Sequence, residues 1–198
     1  MVARHSVWML VLANAATVML AIVLQWPPAS LMWPFLIQSL VIGYYSRKRI
    51  LALEQFSTEN FRINGQEVEA TPQTQRLIAN FFILHYGGFH LAYLFFLFPT
   101  VGDFIWVDWF ILAVMGASFF WNHNSSYQDH IAQDRKGCPN IGWMMFIPYL
   151  RIVPMHVTIG LGAASGAEGV WALLFFGALK TIADVGMHYA EHMKWQQH

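Results

Sequence analysis

Six long apolar runs constrain this chain more than any other feature of its sequence. A helix that crosses a bilayer needs about 20 mostly apolar residues, and the apolar residues here stand in continuous blocks. Only 11% of the residues are charged, against about 25% in a typical soluble domain. We therefore predict an all-α membrane protein, a polytopic bundle of six transmembrane helices at Ser6–Gln25, Leu31–Leu53, Gln75–Phe98, Phe104–Trp121, Ile141–Leu161 and Val170–Tyr189.

The first run has an alternative interpretation as a signal peptide, because Arg4 precedes it. It is longer than the apolar core of a usual cleaved signal, and "QWPPAS" follows it instead of an A-x-A-like cleavage site. We expect a retained first helix.

The basic residues predict the orientation. Cytoplasmic loops of membrane proteins carry an excess of Lys and Arg, whereas three alternate loops here, "WPPAS", "PTVG" and "ASGAEG", contain neither. Nine of the eleven Lys and Arg residues lie at the opposite ends of the runs: Arg4, Arg47, Lys48, Arg49, Arg62, Arg76, Arg135, Lys136 and Lys194. We predict a multi-pass protein of the cytoplasmic (inner) membrane with both termini in the cytoplasm.

One polar segment of some size, residues 54–73, joins the second and third runs with the sequence "EQFSTENFRINGQEVEATPQ". Its Asn-Gly pair indicates a turn, so it is either a plain connector, which we favour, or a surface helix followed by a hairpin-like turn. It is too small for a second domain, and we treat residues 1–198 as one domain.

The apolar runs lead us to expect the lipid bilayer as a partner. Because the net charge is zero, we expect no nucleic acid as a partner. The sequence leaves a homo-oligomer open.

Seven ionisable residues inside the predicted helices are not explained by topology. An ionisable group in mid-membrane costs about 2.5–3.5 kcal/mol on insertion scales, so it normally faces the bundle interior and has a partner. These residues come from the third, fifth and sixth helices: His85, His90, Arg151, His156, Lys180, Asp184 and His188. If those helices are neighbours, we expect the seven side chains to converge on one site.

Two pairs of histidines illustrate the geometry. Counted at about 1.5 Å per residue, His90 and His156 fall at matching depths, and we expect them to share a site. His85 and His90 stand about 140° apart around a regular helix, so both reach the interior only if that helix is central or is distorted at its Gly87-Gly88 pair. A core histidine with satisfied hydrogen bonds is the alternative for each of them.

The sixth helix carries its polar residues on one face, because Lys180, Asp184 and His188 are four residues apart. Asp184 and His188 can bind one metal ion since side chains at this spacing meet, and Lys180 and Asp184 can equally form a structural ion pair. "HYAEH" also matches H-x-x-E-H, but His192 lies about 12 Å along the axis from Asp184. We prefer Asp184 with His188. His123, in an "NHNSS" stretch that we predict to be a helix end and a loop, is a lower-ranked ligand.

Three functions fit this constellation. The first is a metalloprotein that binds a divalent transition metal such as Zn, Cu or Fe, with an enzymatic role as a metal-dependent hydrolase or oxidoreductase left open. Its substrate would be a lipid or small molecule, and Arg151 and Lys180 would be catalytic residues that hold an anionic group or tune a bound water. The ligands would be His85, His90, His156, Asp184 and His188.

The second function is a haem-binding electron carrier with histidine pairs as axial ligands. The third is a proton or ion relay or a transporter. A serine protease with Ser165 and His188 is not expected, because rise per residue puts them on opposite sides of the membrane.

Three stretches, "NFFILHYGGFHLAYLFFLF", "YLRIVPMHVTIG" and "LKTIADVGMHY", together resemble a prokaryotic family of six-helix membrane proteins known only as a domain of unknown function. The resemblance covers the third to sixth helices. It implies that the seven ionisable residues act as one constellation, and it brings no established activity.

Overall fold

The computed structural model describes residues 2–154, 156–157 and 169–194, which are all-α apart from one short hairpin. Six α-helices follow one another: α1 (Val2–Val23), α2 (Pro28–Leu51), α3 (Pro72–Leu97), α4 (Trp106–Asp134), α5 (Ile141–Phe146) and α6 (Val170–Lys194). The remaining described elements are two 3-10 helices, Phe98–Asp103 and Ile147–Arg151, the strands β1 (Arg62–Ile63) and β2 (Gln66–Glu67), and helical backbone at residues 152–154 and 156–157. The predicted all-α class is confirmed.

Local sequence signals set the helix ends. Pro28 and Pro72 open α2 and α3 in the first turn, where a missing N–H removes no helical hydrogen bond. Thr71 caps α3, because its side-chain oxygen accepts a hydrogen bond of 3.2 Å from the backbone N–H of Thr74. After α1, Gln25 adopts a φ of 54°, and this left-handed conformation ends the helix.

The fifth apolar run is broken, which corrects the prediction of one helix over Ile141–Leu161. α5 ends at Phe146, a 3-10 helix follows, and helical backbone resumes at residues 152–154. Pro148 accounts for the break, because it lacks an N–H and disfavours the α conformation of the residue before it. Residues 158–161 of this run lie outside the described part of the chain.

α4 is longer than predicted. The sequence placed its end near Trp121 and a loop at "NHNSS", whereas the helix continues to Asp134 and includes His123 and His130. Contacts with α2 hold this extension: Arg49 donates two hydrogen bonds, of 2.5 and 2.7 Å, to the buried carboxylate of Asp134. These tertiary contacts outweigh the low helix propensity of the Asn and Ser residues.

α2 forms the centre of the bundle. It packs against α3 and α4, while α1 packs mainly against α6. Two glycines allow close approach: a Cβ on Gly43 of α2 would lie 2.6 Å from Cε1 of Tyr86 on α3, and a Cβ on Gly177 of α6 would collide with Val18 on α1. Phe35 of α2 contacts Phe176 of α6 edge to face, with ring centroids 5.4 Å apart.

The segment at residues 54–73 forms the hairpin-like turn that its Asn-Gly pair indicated. Asn64 and Gly65, with φ of 52° and 78°, connect β1 to β2, as expected for a tight hairpin turn. The surface helix that was one alternative is not formed, because residues 54–61 are in turns and irregular structure. Ser57 pairs with the start of α5, where its carbonyl accepts a hydrogen bond of 3.0 Å from Ile141.

Within the described residues, one helix, α3, is long and apolar enough to cross a membrane. Leu10–Val23 and Ile141–Pro154 are shorter apolar stretches.

Candidate functional site

The first polar cluster joins three helices around an ion pair on α6. Lys180 and Asp184 are 2% and 0% exposed, and Nζ of Lys180 lies 2.5 Å from Oδ2 of Asp184. Asn14 of α1 donates a hydrogen bond of 3.0 Å to the same carboxylate oxygen. From α2, Gln38 accepts a hydrogen bond of 3.1 Å from the Lys180 ammonium, which also lies 5.0 Å from the centre of the Phe35 ring. The structure thus contains the Lys180–Asp184 pair that was one of the two alternatives for α6.

For two members of the predicted constellation the structure describes the backbone alone. The side chains of Arg151 and His188 lie outside the described part of the structure, although their backbones belong to the second 3-10 helix and to α6. Metal binding by Asp184 with His188 therefore stays a prediction, as does any role of Arg151.

The second polar cluster lies between α2 and α3, around His90. This histidine is 3% exposed. Its Nδ1 is 2.7 Å from the carbonyl oxygen of Tyr86, and its Nε2 is 2.7 Å from Oγ of Ser39. The Tyr86 hydroxyl lies 2.6 Å from the same Oγ and 3.1 Å from the Ser39 carbonyl oxygen. Both nitrogens of His90 therefore have partners within the protein.

The directions of these hydrogen bonds follow from which atoms carry protons. A carbonyl oxygen only accepts, so Nδ1 of His90 is the protonated nitrogen. In the neutral ring Nε2 then accepts, and the Ser39 hydroxyl donates to it. The Tyr86 hydroxyl in turn donates to Ser39, because the single proton of Ser39 is already used, and its own single proton is shared between Oγ and the carbonyl oxygen of Ser39. The result is a directed chain from Tyr86 through Ser39 to His90.

The other two histidines lie on the outside of the bundle, and each contacts a tyrosine. His85 is exposed, and its Nδ1 is 3.0 Å from the Tyr149 hydroxyl. His156 is also exposed, and its Nδ1 is 2.6 Å from the Tyr93 hydroxyl and 3.2 Å from the Ile152 carbonyl oxygen. Tyr93 is the link between His156 and His90, since its ring centroid lies 5.8 Å from that of His90.

No three His, Cys, Asp or Glu side chains come together as a set of metal ligands among the residues that the structure describes. Of the predicted residues whose side chains are described, Lys180 and Asp184 belong to the first cluster and His90 to the second, whereas His85 and His156 are exposed. Lys180 and Asp184 lie on the side of α2 that faces α1 and α6, and the histidines whose side chains are described lie around α3 and the segment that follows α5.

Sequence reasoning missed the uncharged members of both clusters. Asn14 and Gln38 complete the first cluster, and Ser39, Tyr86 and Tyr93 complete the second. A signal was present: Asn14 in "LANAAT" and the Gln38-Ser39 pair in "LIQSLV" are polar residues inside apolar runs. Amides and hydroxyls also need hydrogen-bond partners inside a membrane, so polar residues of this kind predict contacts between helices.

A family model covers the whole chain, residues 1–198, and its description is "Family of unknown function (DUF6498)". The chain belongs to this family. No curated protein and no solved structure matches this chain. Membership agrees with the resemblance seen in the sequence and assigns no activity.

Proposed function

We propose that this is an integral membrane protein of the cytoplasmic membrane with six spans. The support comes from its surface: large apolar side chains that are more than half exposed occur on α1, α3, α4 and α6, namely Trp8, Leu12, Met19, Leu84, Phe95, Trp106, Phe110, Trp121, Trp171 and Ile182. Soluble monomers rarely expose apolar surface on this scale. A lipid environment explains it directly.

We further propose that the cluster of Lys180, Asp184, Asn14 and Gln38 is a proton relay, as part of an ion-coupled transport or proton-transfer function. The observation that carries this is the complete burial of an ion pair whose members are each also bonded to a polar side chain from another helix. Removing two charges from water costs several kcal/mol per ion. Such residues inside membranes mark ion pathways and proton relays.

The chemistry of the pair suits this role. Lys180 can pass a proton to Asp184 across their short contact, which turns two charges into a neutral amine and a neutral acid. Asn14 and Gln38 can bond to either form, because amide groups both donate and accept.

Proton flux into liposomes tests the proposal. The purified protein is reconstituted with a pH-sensitive dye inside the vesicles, and a membrane potential is applied. We expect flux in the unmodified protein and none in the double variant Lys180→Met/Asp184→Leu, which removes both charges together. Asp134→Asn is the matched control, because Asp134 is also a buried, paired aspartate but lies in the separate contact with Arg49. Equal flux in the unmodified protein and the double variant would refute the relay.

A metal centre is the second candidate, and one observation favours it. In His90 and in His156, Nδ1 contacts the carbonyl oxygen four residues earlier, at 2.7 and 3.2 Å. Metal-binding histidines almost always donate their other ring N–H in this way. Nε2 of His156 is thereby oriented to bind. Asp184 and His188 on α6 are a separate candidate pair of ligands, because Asp184 belongs to the cluster around Lys180.

A further inference from the structure

We propose that Ser39 is a nucleophile activated by His90, so that the α2–α3 cluster can perform acyl transfer. Oγ of Ser39 is 2.7 Å from Nε2 of His90, within the reach that a nucleophile and its general base require. The third element of such a site is a group that orients the base. The carbonyl oxygen of Tyr86 fills this position, 2.7 Å from Nδ1 of His90.

The hydrogen-bond directions have the polarity that this chemistry needs. The Ser39 hydroxyl donates to a neutral imidazole, and the imidazole donates from its other nitrogen, as in the serine triads. Here a backbone carbonyl replaces the usual carboxylate. The imidazolium formed during the reaction is therefore held by a dipole and not by a full charge.

Tyr86 supplies the remaining group. Its hydroxyl lies 2.6 Å from Oγ of Ser39, so it is close enough to donate to an oxyanion formed on a carbon bonded to that oxygen. Gly43 makes this position available, because any side chain there would collide with the Tyr86 ring.

The proposed reaction is the hydrolysis of an ester or amide. Oγ of Ser39 bonds to the carbonyl carbon while its proton moves to Nε2 of His90. The intermediate expels the alcohol or amine, which takes that proton and leaves the acyl group on Ser39. A water molecule then gives a proton to His90 and bonds to the acyl carbon. The second intermediate breaks its bond to Oγ of Ser39, which takes the proton back from His90, and the carboxylic acid is released.

The position of the cluster indicates the class of substrate. His90 lies seven residues from the end of α3, about 10 Å along the helix axis, between apolar helix faces. This indicates a membrane-resident acyl compound rather than a water-soluble one. The substrate class rests on the proposed membrane location, whereas the reactivity of Ser39 does not depend on it.

Labelling with a small fluorophosphonate, located by mass spectrometry of the full-length protein in detergent, tests the proposal. We expect one phosphonyl adduct, on Ser39. The adduct should disappear in Ser39→Ala. In His90→Gln it should form at least about 100-fold more slowly, because a general base contributes at least that factor. Ser30 is the internal control, since it is also a buried serine of α2 and its Oγ has no hydrogen-bond partner within the described residues.

Two results would overturn the proposal. One is the absence of any adduct on Ser39 in the unmodified protein. The other is labelling of Ser39 at an unchanged rate in a folded His90→Gln variant, with folding checked by its thermal transition. Neither result bears on proton flux, so failure of the nucleophile and failure of the relay are distinguishable.

Discussion

Gln38 and Ser39 are consecutive residues of α2, and their side chains enter different polar clusters. Gln38 accepts a hydrogen bond from Lys180 on α6, and Ser39 bonds to His90 on α3. Successive residues of a helix point about 100° apart, so two side chains at nearly the same height on α2 contact α6 on one side and α3 on the other. The central helix therefore separates the polar interior into a charged half and a half with serine, histidine and tyrosine.

The Lys180–Asp184 pair should show strong energetic coupling. We expect Lys180→Met and Asp184→Leu each to lower the free energy of unfolding by about 3–5 kcal/mol, because each leaves one buried charge uncompensated. The double variant should recover most of that loss. Denaturant unfolding in detergent measures the cycle, and Arg62→Ala, which removes an exposed pair with Glu67, is a control expected to cost under about 1 kcal/mol. Additive losses in the double variant would show that the two residues are not coupled.

The orientation can be checked with reporter fusions. Positive-inside asymmetry predicts that a reporter placed after His198 or within residues 54–73 is active only in the cytoplasm. A reporter inserted in the "PTVG" loop should be active only in the periplasm. Periplasmic activity of the fusion after His198 would contradict the predicted orientation with both termini in the cytoplasm.

Metal content separates the two roles of Asp184. If Asp184 and His188 are ligands, elemental analysis should find a stoichiometric transition metal that is lost in Asp184→Asn and in His188→Ala. His130→Ala, on the extension of α4, should keep it. Stoichiometric metal in both of the first two variants would leave Lys180–Asp184 as a structural or proton-exchanging pair.

Gly43 should tolerate no side chain. Gly43→Ala places a methyl group 2.6 Å from Cε1 of Tyr86, and we expect a loss of about 1–3 kcal/mol from overpacking. Gly88→Ala is the matched control on α3, because nothing lies within 4 Å of its Cβ position. Alanine there should stabilise the helix by about 0.5–1 kcal/mol. Thermal unfolding of both variants compares them, and an unchanged midpoint in Gly43→Ala would show that Tyr86 is free to move.

The sequence predicted the helices well where local signals decide and poorly where tertiary contacts decide. The predicted starts of α2 and α3, Leu31 and Gln75, lie three residues after the observed starts at Pro28 and Pro72. The extension of α4 depends on Arg49, which lies 85 residues away in the chain, so no local pattern contained it. The break at Pro148 had a signal in "FIPYL", but the apolar character of the run outweighed it in the prediction.

The candidate site shows the same division. Spacing of four residues put Lys180 and Asp184 on one face of α6, and their contact was one of two alternatives, the other being Asp184 with His188. The spacing of residues within a helix does not indicate which other helices pack against α6. The prediction therefore grouped α3 with α6, whereas α1 and α2 supply the polar partners of the ion pair.

The pairing of α1 with α6 has a consequence for how the protein is made. In the proposed six-span protein, α1 is synthesised before α6, so α1 would reside in the bilayer while its main partner has yet to leave the ribosome. The polar group that it carries into this contact is Asn14, an uncharged amide that a lone helix can tolerate. Both charges of the cluster reside on α6, which is inserted when Asn14 and Gln38 are already available to receive them. The order of the residues along the chain would thus bring both charges of this cluster into the bundle together, after their amide partners.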